Sequence, residues 1–333
     1  MVVPILSEDM LIAFSILFLA LIIDFLFGDP SPNEPWRLRY KLHPTVWIGF
    51  LTGFLAKRLK HKNPKVEKLN GVLLALIVVA VSTISSYFVL KFIDAFLGTI
   101  IYAILAAVLL KSTICIRLES EWAVAASKAI GSGDLAEARK YAHFSRRDPS
   151  NLNSAQIASS VIESMAENLT DFKVSPLFYY ALFGFPGAIA FRAINTLDGM
   201  VGFKDPEHIN IGWFSAKLDT LVNYVTTRIV ALLIILAAVI LGEDYKNAWR
   251  IAKRDHAKVP SRNHGWTMAT VAGALNVQLE KPGHYIIGDK KQETSSEHIL
   301  KTLKIRNAAL ILFIVLTAIP LLYIRVQILG ILI

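Results

Sequence analysis

The sequence contains almost no cysteine, since Cys115 is the single one among 333 residues. One cysteine cannot form an intramolecular disulfide or a cysteine-rich zinc site, so a secreted disulfide scaffold is excluded. Charged residues are also scarce, at 18% of the chain against 54% hydrophobic residues, and the mean hydropathy is +0.49. This composition excludes a disordered chain and is typical of a membrane protein.

Several familiar sequence signatures are missing as well. There is no G-x-x-x-x-G-K-[ST] loop, no G-x-G-x-x-G after a strand and no H-E-x-x-H pair. No internal repeat with a period of about 20 to 50 residues is visible. Any chemistry must therefore depend on residues outside these motifs.

Long apolar runs are abundant. A helix needs about 20 apolar residues to cross a hydrocarbon core of about 30 Å. We predict transmembrane helices at five runs rich in Leu, Ile, Val and Ala: residues 10–27, 69–90, 95–116, 225–241 and 308–323. Two further runs are weaker candidates. Residues 44–56 are too few for a full crossing, and residues 176–193 are interrupted by Gly184, Pro186 and Gly187. The second is expected either to span the membrane or to be re-entrant.

The net charge of +9 is concentrated in two basic stretches, residues 57–68 and 246–262, each beside an apolar run. Basic flanks of this kind predict cytoplasmic loops. No nucleic-acid partner is expected, because no nucleic-acid motif accompanies the charge. If both stretches are cytoplasmic, the chain crosses the membrane an even number of times between them. The runs 69–90, 95–116 and 225–241 give three crossings, so this parity favours a fourth at 176–193.

The composition becomes polar and Ala-rich in residues 117–173, which predicts a soluble helical insertion. Residues 243–306 are predicted as a second cytoplasmic segment. We therefore expect an all-α, polytopic integral membrane protein with about five to six membrane helices or half-helices and a helical cytoplasmic insertion. The whole chain would form one membrane-embedded unit.

Three acidic residues recur at helical spacing near the end of the insertion. Glu163, Glu167 and Asp171 are four residues apart and share a helix face, where like charges repel each other. Such a set suits Mg²⁺, which is usually held by one or two carboxylates together with substrate phosphates. The alternative is an exposed acidic face neutralised by neighbouring cations: Arg146, Arg147 or Lys173.

Other candidates are basic or amide side chains. Arg146 and Arg147 end a predicted helix, and a planar guanidinium suits phosphate, although a helix C-terminus attracts arginine by itself. Polar residues beside an apolar run are costly and therefore candidates for function. Those at and beyond the end of 176–193 are Arg192, Asn195, Asp198 and Lys204. Their alternative is an interfacial loop whose lysine reaches the membrane surface.

Two further regions combine polar residues with turns. Gly28-Asp29-Pro30 and His43 supply an acid and an imidazole, and Asp24 lies at the end of the first apolar run. Asn263 precedes a helix rich in Ala and Gly, residues 268–275. Its small residues permit the close approach of a bulky group, or a tight contact with another helix.

Several of these segments follow one another in a characteristic order. They are Gly28-Asp29-Pro30, His43-Pro44 to Ile48-Gly49, Arg147-Asp148, Glu163-Ser164 with Ala166-Glu167-Asn168 and Asp171, Ser175-Pro176-Leu177-Phe178-Tyr179, Asn195-Thr196-Leu197-Asp198 with Met200-Val201-Gly202, and Asn263 with Gly265 and Ala272-Gly273-Ala274-Leu275. Together they resemble the CbiB/CobD family, the membrane-bound adenosylcobinamide-phosphate synthases of cobalamin biosynthesis. The resemblance covers about residues 20 to 290. The chain departs from the family pattern at Asn153, where an acid is usual, and at Glu280-Lys281, where two glycines are usual.

The resemblance implies an ATP-dependent amide ligation with Mg²⁺. The carboxylate of adenosylcobyric acid would be joined to (R)-1-aminopropan-2-ol or its O-phosphate, by way of an acyl phosphate. Other membrane enzymes of corrinoid synthesis are a further partner that the resemblance leaves open. The alternatives from other classes are a transporter without ligase activity, and a membrane anchor that organises other corrinoid enzymes.

On chemical grounds we assign roles to the positions that the resemblance marks. The expected catalytic residues are Glu163, Glu167, Asp198 and Arg147. The expected phosphate or cofactor-binding residues are Arg146, Arg192, Asn195, Lys204 and Asn263. The expected metal ligands are Glu163, Glu167 and Asp171. Because ATP is cytoplasmic, the active site of this multi-pass cell-membrane protein should face the cytoplasm, which favours a re-entrant 176–193 over the crossing that charge parity favours.

Overall fold

The computed structural model describes residues 7–142 and 148–330, and the described chain is almost entirely helical. The helices are α1 (Glu8–Phe27), α2 (Leu38–Lys41), α3 (Pro44–Leu59), α4 (Pro64–Leu97), α5 (Thr99–Lys111), α6 (Arg117–Gly131), α7 (Leu135–Ala142), α8 (Ser154–Leu169), α9 (Ser175–Val201), α10 (Trp213–Leu241), α11 (Tyr245–Asp255), α12 (Arg262–Ala274), α13 (Ser296–Phe313) and α14 (Ile319–Tyr323). π-Helical turns occupy Thr170–Val174, Ile314–Ala318 and Ile324–Ile328. The predicted all-α class is confirmed.

Five of the described helical segments are long and apolar enough to cross a bilayer, so the chain is a polytopic membrane protein. They are Glu8–Phe27, Pro64–Leu97, Ser154–Val201, Trp213–Leu241 and Ser296–Ile328. Four of the predicted transmembrane runs, 10–27, 69–90, 225–241 and 308–323, lie inside these segments. The segments extend beyond the apolar runs because polar helical turns continue them.

The predicted transmembrane helix at 95–116 is not a single helix in the structure. Its first residues complete α4, and the chain then turns at Gly98, whose φ of 84° ends that helix. The remaining helix, α5, has 13 residues, a length of about 20 Å that is too short to cross a core of about 30 Å. Hydropathy does not show this break, because a glycine inside an apolar run does not lower the average, and a crossing by residues 95–116 stays a prediction.

The interrupted run 176–193 lies within α9, which is kinked. Gly184 has φ 69° and ψ −160°, outside the helical region, and Pro186 follows two residues later. A proline inside a helix removes one backbone hydrogen bond and so accompanies a break. The choice between a span and a re-entrant segment stays a prediction.

The described chain divides into two compact units. The first comprises residues 7–116, 175–222 and 317–330, and the second comprises residues 117–142, 148–174 and 223–316. Residues 117–173 pack with a later part of the chain, because α6 and α8 contact α13, which begins at Ser296. The core of the first unit is formed where α3, α4 and α9 meet, around Ile48, Leu74, Val78 and Leu197.

The second unit is built around α8, whose 16 residues are mostly buried. Asn153 caps this helix, since its Oδ1 accepts from the Gln156 amide and the Gln156 side chain accepts from the Asn153 amide. The unusual Asn153 thus has a structural role. A two-stranded antiparallel hairpin, β1 (Gln278–Lys281) and β2 (Tyr285–Gly288), packs against α8. No hairpin is predicted from the sequence, because strands of four residues carry too little alternation.

Candidate active site

The three predicted acidic residues occupy successive turns in the second unit. Glu163 and Glu167 are on α8, and Asp171 is in the π-helical turn that follows it. We call these three residues the acidic row. They differ in their surroundings, and the differences indicate what each carboxylate can do.

Glu163 is almost fully buried and is held by two hydroxyl groups. Ser159 Oγ donates to Glu163 Oε1 at 2.8 Å, and Tyr285 Oη donates to Glu163 Oε2 at 2.6 Å. The same Ser159 hydroxyl accepts from the Glu280 amide at 2.9 Å. Hydrogen bonds to both oxygens satisfy the acceptors of this carboxyl group in a buried place. The hairpin therefore fixes the orientation of Glu163.

Asp171 is mostly buried and contacts two residues from distant segments. Its Oδ1 accepts from Asn223 Nδ2 at 3.1 Å and lies 3.0 Å from His264 Nε2. His264 is on the first turn of α12, next to the predicted Asn263. A carboxylate fixes the tautomer and orientation of a paired imidazole. Asp171 and His264 therefore form an oriented acid and imidazole pair.

Glu167 lies between these two carboxylates and is half-buried. Within residues 7–142 and 148–330 its carboxylate has no hydrogen-bond or ion-pair partner, although Glu163, Asp171, His264 and Lys281 are within electrostatic range. A carboxylate at this depth without a partner carries a desolvation cost. Glu167 is thus the member of the acidic row with oxygens available to an incoming cation or proton.

The carboxylates of the acidic row are the candidate ligands for a divalent cation. Among the described residues, no group of three or more His, Cys, Asp or Glu side chains is arranged around one metal position. Glu163 is engaged by hydroxyl donors and Asp171 by Asn223 and His264, which leaves Glu167 as the carboxylate with available oxygens. This set fits Mg²⁺, which usually takes one or two carboxylates and completes its shell with waters and phosphates.

Lys173 pairs with Glu119, an acid outside the acidic row. Its Nζ lies 2.8 Å from Glu119 Oε2, and Arg306 Nη1 lies 2.7 Å from the same oxygen. Burial alone would raise the pKa of the Glu119 carboxyl, but the charges of Lys173 and Arg306 hold it below its usual value. Of the cations proposed to neutralise the row, Arg146 and Arg147 lie outside the described residues, as residues 143–147 do as a whole.

A second polar cluster lies within the first unit and contains two of the predicted residues. Arg192 is buried, donates from Nη1 to Asn195 Oδ1 at 3.0 Å and from Nη2 to the carbonyl of Thr113. Asn195 Nδ2 donates to Asp219 Oδ1 at 3.4 Å. The structure thus brings together Arg192 and Asn195 and adds Asp219, which the sequence did not single out.

Asp198 and Lys204 lie further along. Asp198 is half-buried near the end of α9, and its carbonyl accepts from the Gly202 amide at 2.8 Å. A Cβ at position 202 would come within 2.0 Å of Asp198 Oδ1, so glycine lets this side chain fold over the helix end. Lys204 is exposed in the following loop and has no partner among the described residues.

The first unit also contains a buried ionic cluster around Lys111. Its Nζ contacts Asp29 Oδ1 and lies 3.4 Å from Asp24 Oδ1, while His43 Nε2 lies 3.4 Å from Asp29 Oδ1. Burial would raise the pKa of the Asp29 carboxyl, but His43 and Lys111 lower it. The sequence pointed to the acids and to His43 but missed Lys111. A lysine inside an apolar run was the signal that could have found it.

Asn263 and the small residues after it serve helix packing. Asn263 Oδ1 accepts from Arg228 Nη1 at 2.6 Å. A Cβ at Gly265 would come within 2.0 Å of the His256 carbonyl, and one at Gly273 within 2.6 Å of the Asn247 carbonyl. Of the two explanations for these glycines, the tight contact between α11 and α12 is therefore the one that the structure supports.

Comparison with known proteins finds similarity along most of the chain. A family model described as CobD/Cbib protein matches residues 17–312. A probable cobalamin biosynthesis protein CobD from Methanothermobacter thermautotrophicus is 37% identical over 300 residues, 90% of this chain and 95% of its own length. The corresponding protein of Methanocaldococcus jannaschii is 37% identical over 308 residues, covering 90% and 96%. A cobalamin biosynthesis protein CobD from Dehalococcoides mccartyi is 35% identical over 276 residues, covering 82% and 86%. No solved structure gives a significant match.

Proposed function

Because this chain belongs to the CobD/CbiB family of cobalamin biosynthesis proteins, we propose that it catalyses an ATP-dependent amide ligation. The free propionate carboxylate of adenosylcobyric acid is the acyl donor. The amine of (R)-1-aminopropan-2-ol or of its O-phosphate is the acceptor. The observation that carries the proposal is the acidic row, in which a half-buried Glu167 without a hydrogen-bond partner among the described residues lies between Glu163 and the Asp171–His264 pair.

The proposed reaction has two steps. A carboxylate oxygen of the corrinoid attacks the γ-phosphorus of ATP, ADP leaves, and an acyl phosphate forms. The amine nitrogen then attacks the acyl carbon, phosphate leaves with that carboxylate oxygen, and the ammonium proton passes to a base. Activation is needed because a carboxylate is a poor acyl donor. Cleavage of the bond between the β- and γ-phosphates of ATP is thus coupled to formation of the amide bond.

The acidic row is the proposed metal and base site. Glu167 and Asp171 would hold Mg²⁺, with Glu163 fixed next to them by Ser159 and Tyr285. Mg²⁺ would neutralise the phosphate charge of ATP. Glu167 would also accept the proton that the amine loses, since a general base needs an available lone pair within reach.

The remaining assigned residues would bind phosphate or orient side chains that do. Arg147 and Arg146 precede α8, and Lys204 is exposed and unpaired among the described residues, so these three are proposed to bind phosphate directly. Arg192 and Asn195 are already bonded to each other, which favours a positioning role for both. Asp198 would hold a proton or a second cation, and Asn263 would keep Arg228 in place. We propose that all of them face the cytoplasm, where ATP is available.

The test is an assay of the purified full-length protein with ATP, Mg²⁺, adenosylcobyric acid and aminopropanol phosphate. Mass spectrometry measures the amide product, and a coupled assay measures ADP. Glu167→Gln should lower kcat/KM by on the order of 10² or more. Its melting temperature should stay near that of the wild type, because the carboxylate has no hydrogen-bond or ion-pair partner within the described ranges.

The matched control is Glu121→Gln. Glu121 is on α6, is exposed and pairs with Arg117 on the same helix face at 2.7 Å, so its loss should leave the rate unchanged. Full activity of Glu167→Gln would contradict the assignment of the acidic row. A folded wild-type protein that makes neither ADP nor amide would contradict the ligase itself and favour a transporter.

A further inference from the structure

Helix α11 has one buried face and one exposed face of very different chemistry. The buried face, which includes Ala248 and Ile251, packs against α12. The exposed face carries two aromatic rings and two lysines: Tyr245, Lys246, Trp249 and Lys253. Tyr245 and Trp249 are 43% and 42% exposed, although rings of this size are normally covered in a folded protein. We call these four residues the α11 face.

The lysines of the α11 face contact its rings and no acid. Lys253 Nζ lies 4.5 Å from the centroid of the Trp249 ring, and Lys246 Nζ lies 6.0 Å from that of Tyr245. Neither lysine has an acidic partner in the part of the chain that the structure describes. The α11 face is therefore positively charged and aromatic at once.

The acids near the α11 face are engaged by other cations. Glu243 and Asp244, which directly precede Tyr245, pair with Lys301 and Lys291, respectively. Asp255 is held by Arg254 and by Lys258. Asp289 is held by Arg250 and Arg254. Since these carboxylates are satisfied elsewhere, they do not neutralise the α11 face.

The α11 face is close to the end of a membrane-spanning segment. Helix α10 ends at Leu241, Gly242 turns the chain with φ 73°, and α11 begins at Tyr245. Four residues span at most about 14 Å, so the first turn of α11 is within reach of the headgroup layer. Trp and Tyr prefer that layer, and basic residues just outside a span are attracted to anionic lipids.

We propose that the α11 face lies in the headgroup layer of the bilayer and binds anionic phospholipid. The rings of Tyr245 and Trp249 rest at the boundary with the acyl chains, and Lys246 and Lys253 contact headgroup phosphates. The lysine stems lie along apolar surface while their ammonium groups stay in the polar layer. This site is separate from the acidic row and does not depend on the ligase activity.

The first test measures the depth of Trp249. The full-length protein is placed in nanodiscs that contain phosphatidylcholine brominated near the headgroup or near the chain end, each with phosphatidylglycerol. The contribution of Trp249 is the difference between the wild type and Trp249→Phe. We expect stronger quenching by the lipid brominated near the headgroup. A Trp249 that neither lipid quenches would overturn the proposal and leave the α11 face to an acidic protein segment.

The second test measures lipid charge. Native mass spectrometry counts the phosphatidylglycerol retained by the wild type and by Lys246→Gln/Lys253→Gln, with phosphatidylcholine as the neutral lipid. Retention of phosphatidylglycerol should fall on the order of fivefold for each lysine removed. The control, Lys128→Gln/Lys290→Gln, removes two exposed lysines elsewhere and should retain lipid as the wild type does. Equal loss in both double variants, or no loss in either, would contradict a specific anionic site.

Discussion

The carboxylate of Glu119 forms ion pairs with two cations in the interior of the second unit. Lys173 and Arg306 are both almost fully buried, and Arg306 also donates to Ser120 Oγ at 2.6 Å. The two cations keep the pKa of Glu119 low despite its burial, so the cluster stays ionised at neutral pH. Buried ion pairs add little when complete, but removing one partner is costly because the other charge stays behind.

Glu119→Gln should therefore destabilise the protein strongly. It leaves two buried cations without their counter-charge, and we expect a loss of about 3 to 5 kcal/mol in the free energy of unfolding. The measurement is the melting temperature in detergent, compared with that of Glu121→Gln. The control removes an exposed pair and should cost less than about 1 kcal/mol. Equal melting temperatures for the two variants would show that the cluster does not matter for stability.

The acidic row could be predicted from the sequence because its members recur at the helical spacing of four residues. Their partners could not. Asn223 is 52 residues from Asp171, His264 is 93 residues from it, and Tyr285 is 122 residues from Glu163. No local pattern connects such positions, since Asn223 is on α10, His264 on α12 and Tyr285 in the hairpin. The roles of the acidic row as metal ligands and base stay predictions.

Between elements, the end of α11 is tied to the hairpin by one buried carboxylate. Asp255 accepts two hydrogen bonds from Arg254 at 2.7 Å and one from the Gly288 amide at 2.8 Å. Lys258 Nζ lies 2.6 Å from Asp255 Oδ1. Burial would raise the pKa of Asp255, but the donors lower it to about 2. The ion pairs in this link therefore require an ionised Asp255.

This link makes a pH-dependent contribution to stability. The pKa of Asp255 is lower in the folded than in the unfolded state, so its contribution is complete above about pH 4 and disappears as the pH falls through about 2. Because Arg254 and Lys258 are partly exposed and screened, we expect about 1 kcal/mol. The difference in unfolding free energy between the wild type and Asp255→Asn should shrink as the pH is lowered. A difference that is independent of pH would contradict the ionised link.

At the level of elements, hydropathy predicted where apolar helices lie but not where they break. The run 95–116 is apolar throughout, and only the positive φ of Gly98 divides it into α4 and α5. The kink at Gly184 could be predicted, because Pro186 and Gly187 accompany it. A glycine alone does not predict a helix break, because glycines also occur within helices. Gly265 and Gly273 are examples, inside α12 where it meets α11.

At the scale of the whole molecule, composition predicted a multi-pass membrane protein because 54% of the 333 residues are hydrophobic. These residues are grouped in runs of about the 20 residues that a membrane crossing needs. Which side each loop faces is a separate question that depends on the kinked α9. Lys204 follows α9 in an exposed loop, so it reports the side directly.

We predict that position 204 is cytoplasmic. In a Cys115→Ser background, Lys204→Cys should resist a membrane-impermeant maleimide in intact cells and react once the membrane is permeabilised. A cysteine at Lys62, in the basic stretch 57–68, should behave in the same way and serves as the cytoplasmic reference. Labelling of position 204 from outside would place the loop on the external side of the membrane and contradict the proposed orientation of the site.

The most direct measurement of the proposed reaction follows the corrinoid carboxylate oxygens. Adenosylcobyric acid labelled with ¹⁸O in its free carboxylate is incubated with the full-length protein, ATP, Mg²⁺ and aminopropanol phosphate, and the inorganic phosphate is analysed by mass spectrometry. Activation as an acyl phosphate predicts one ¹⁸O atom in each phosphate, together with one ADP for each amide formed. Amide formation with unlabelled phosphate, or with AMP in place of ADP, would contradict this mechanism.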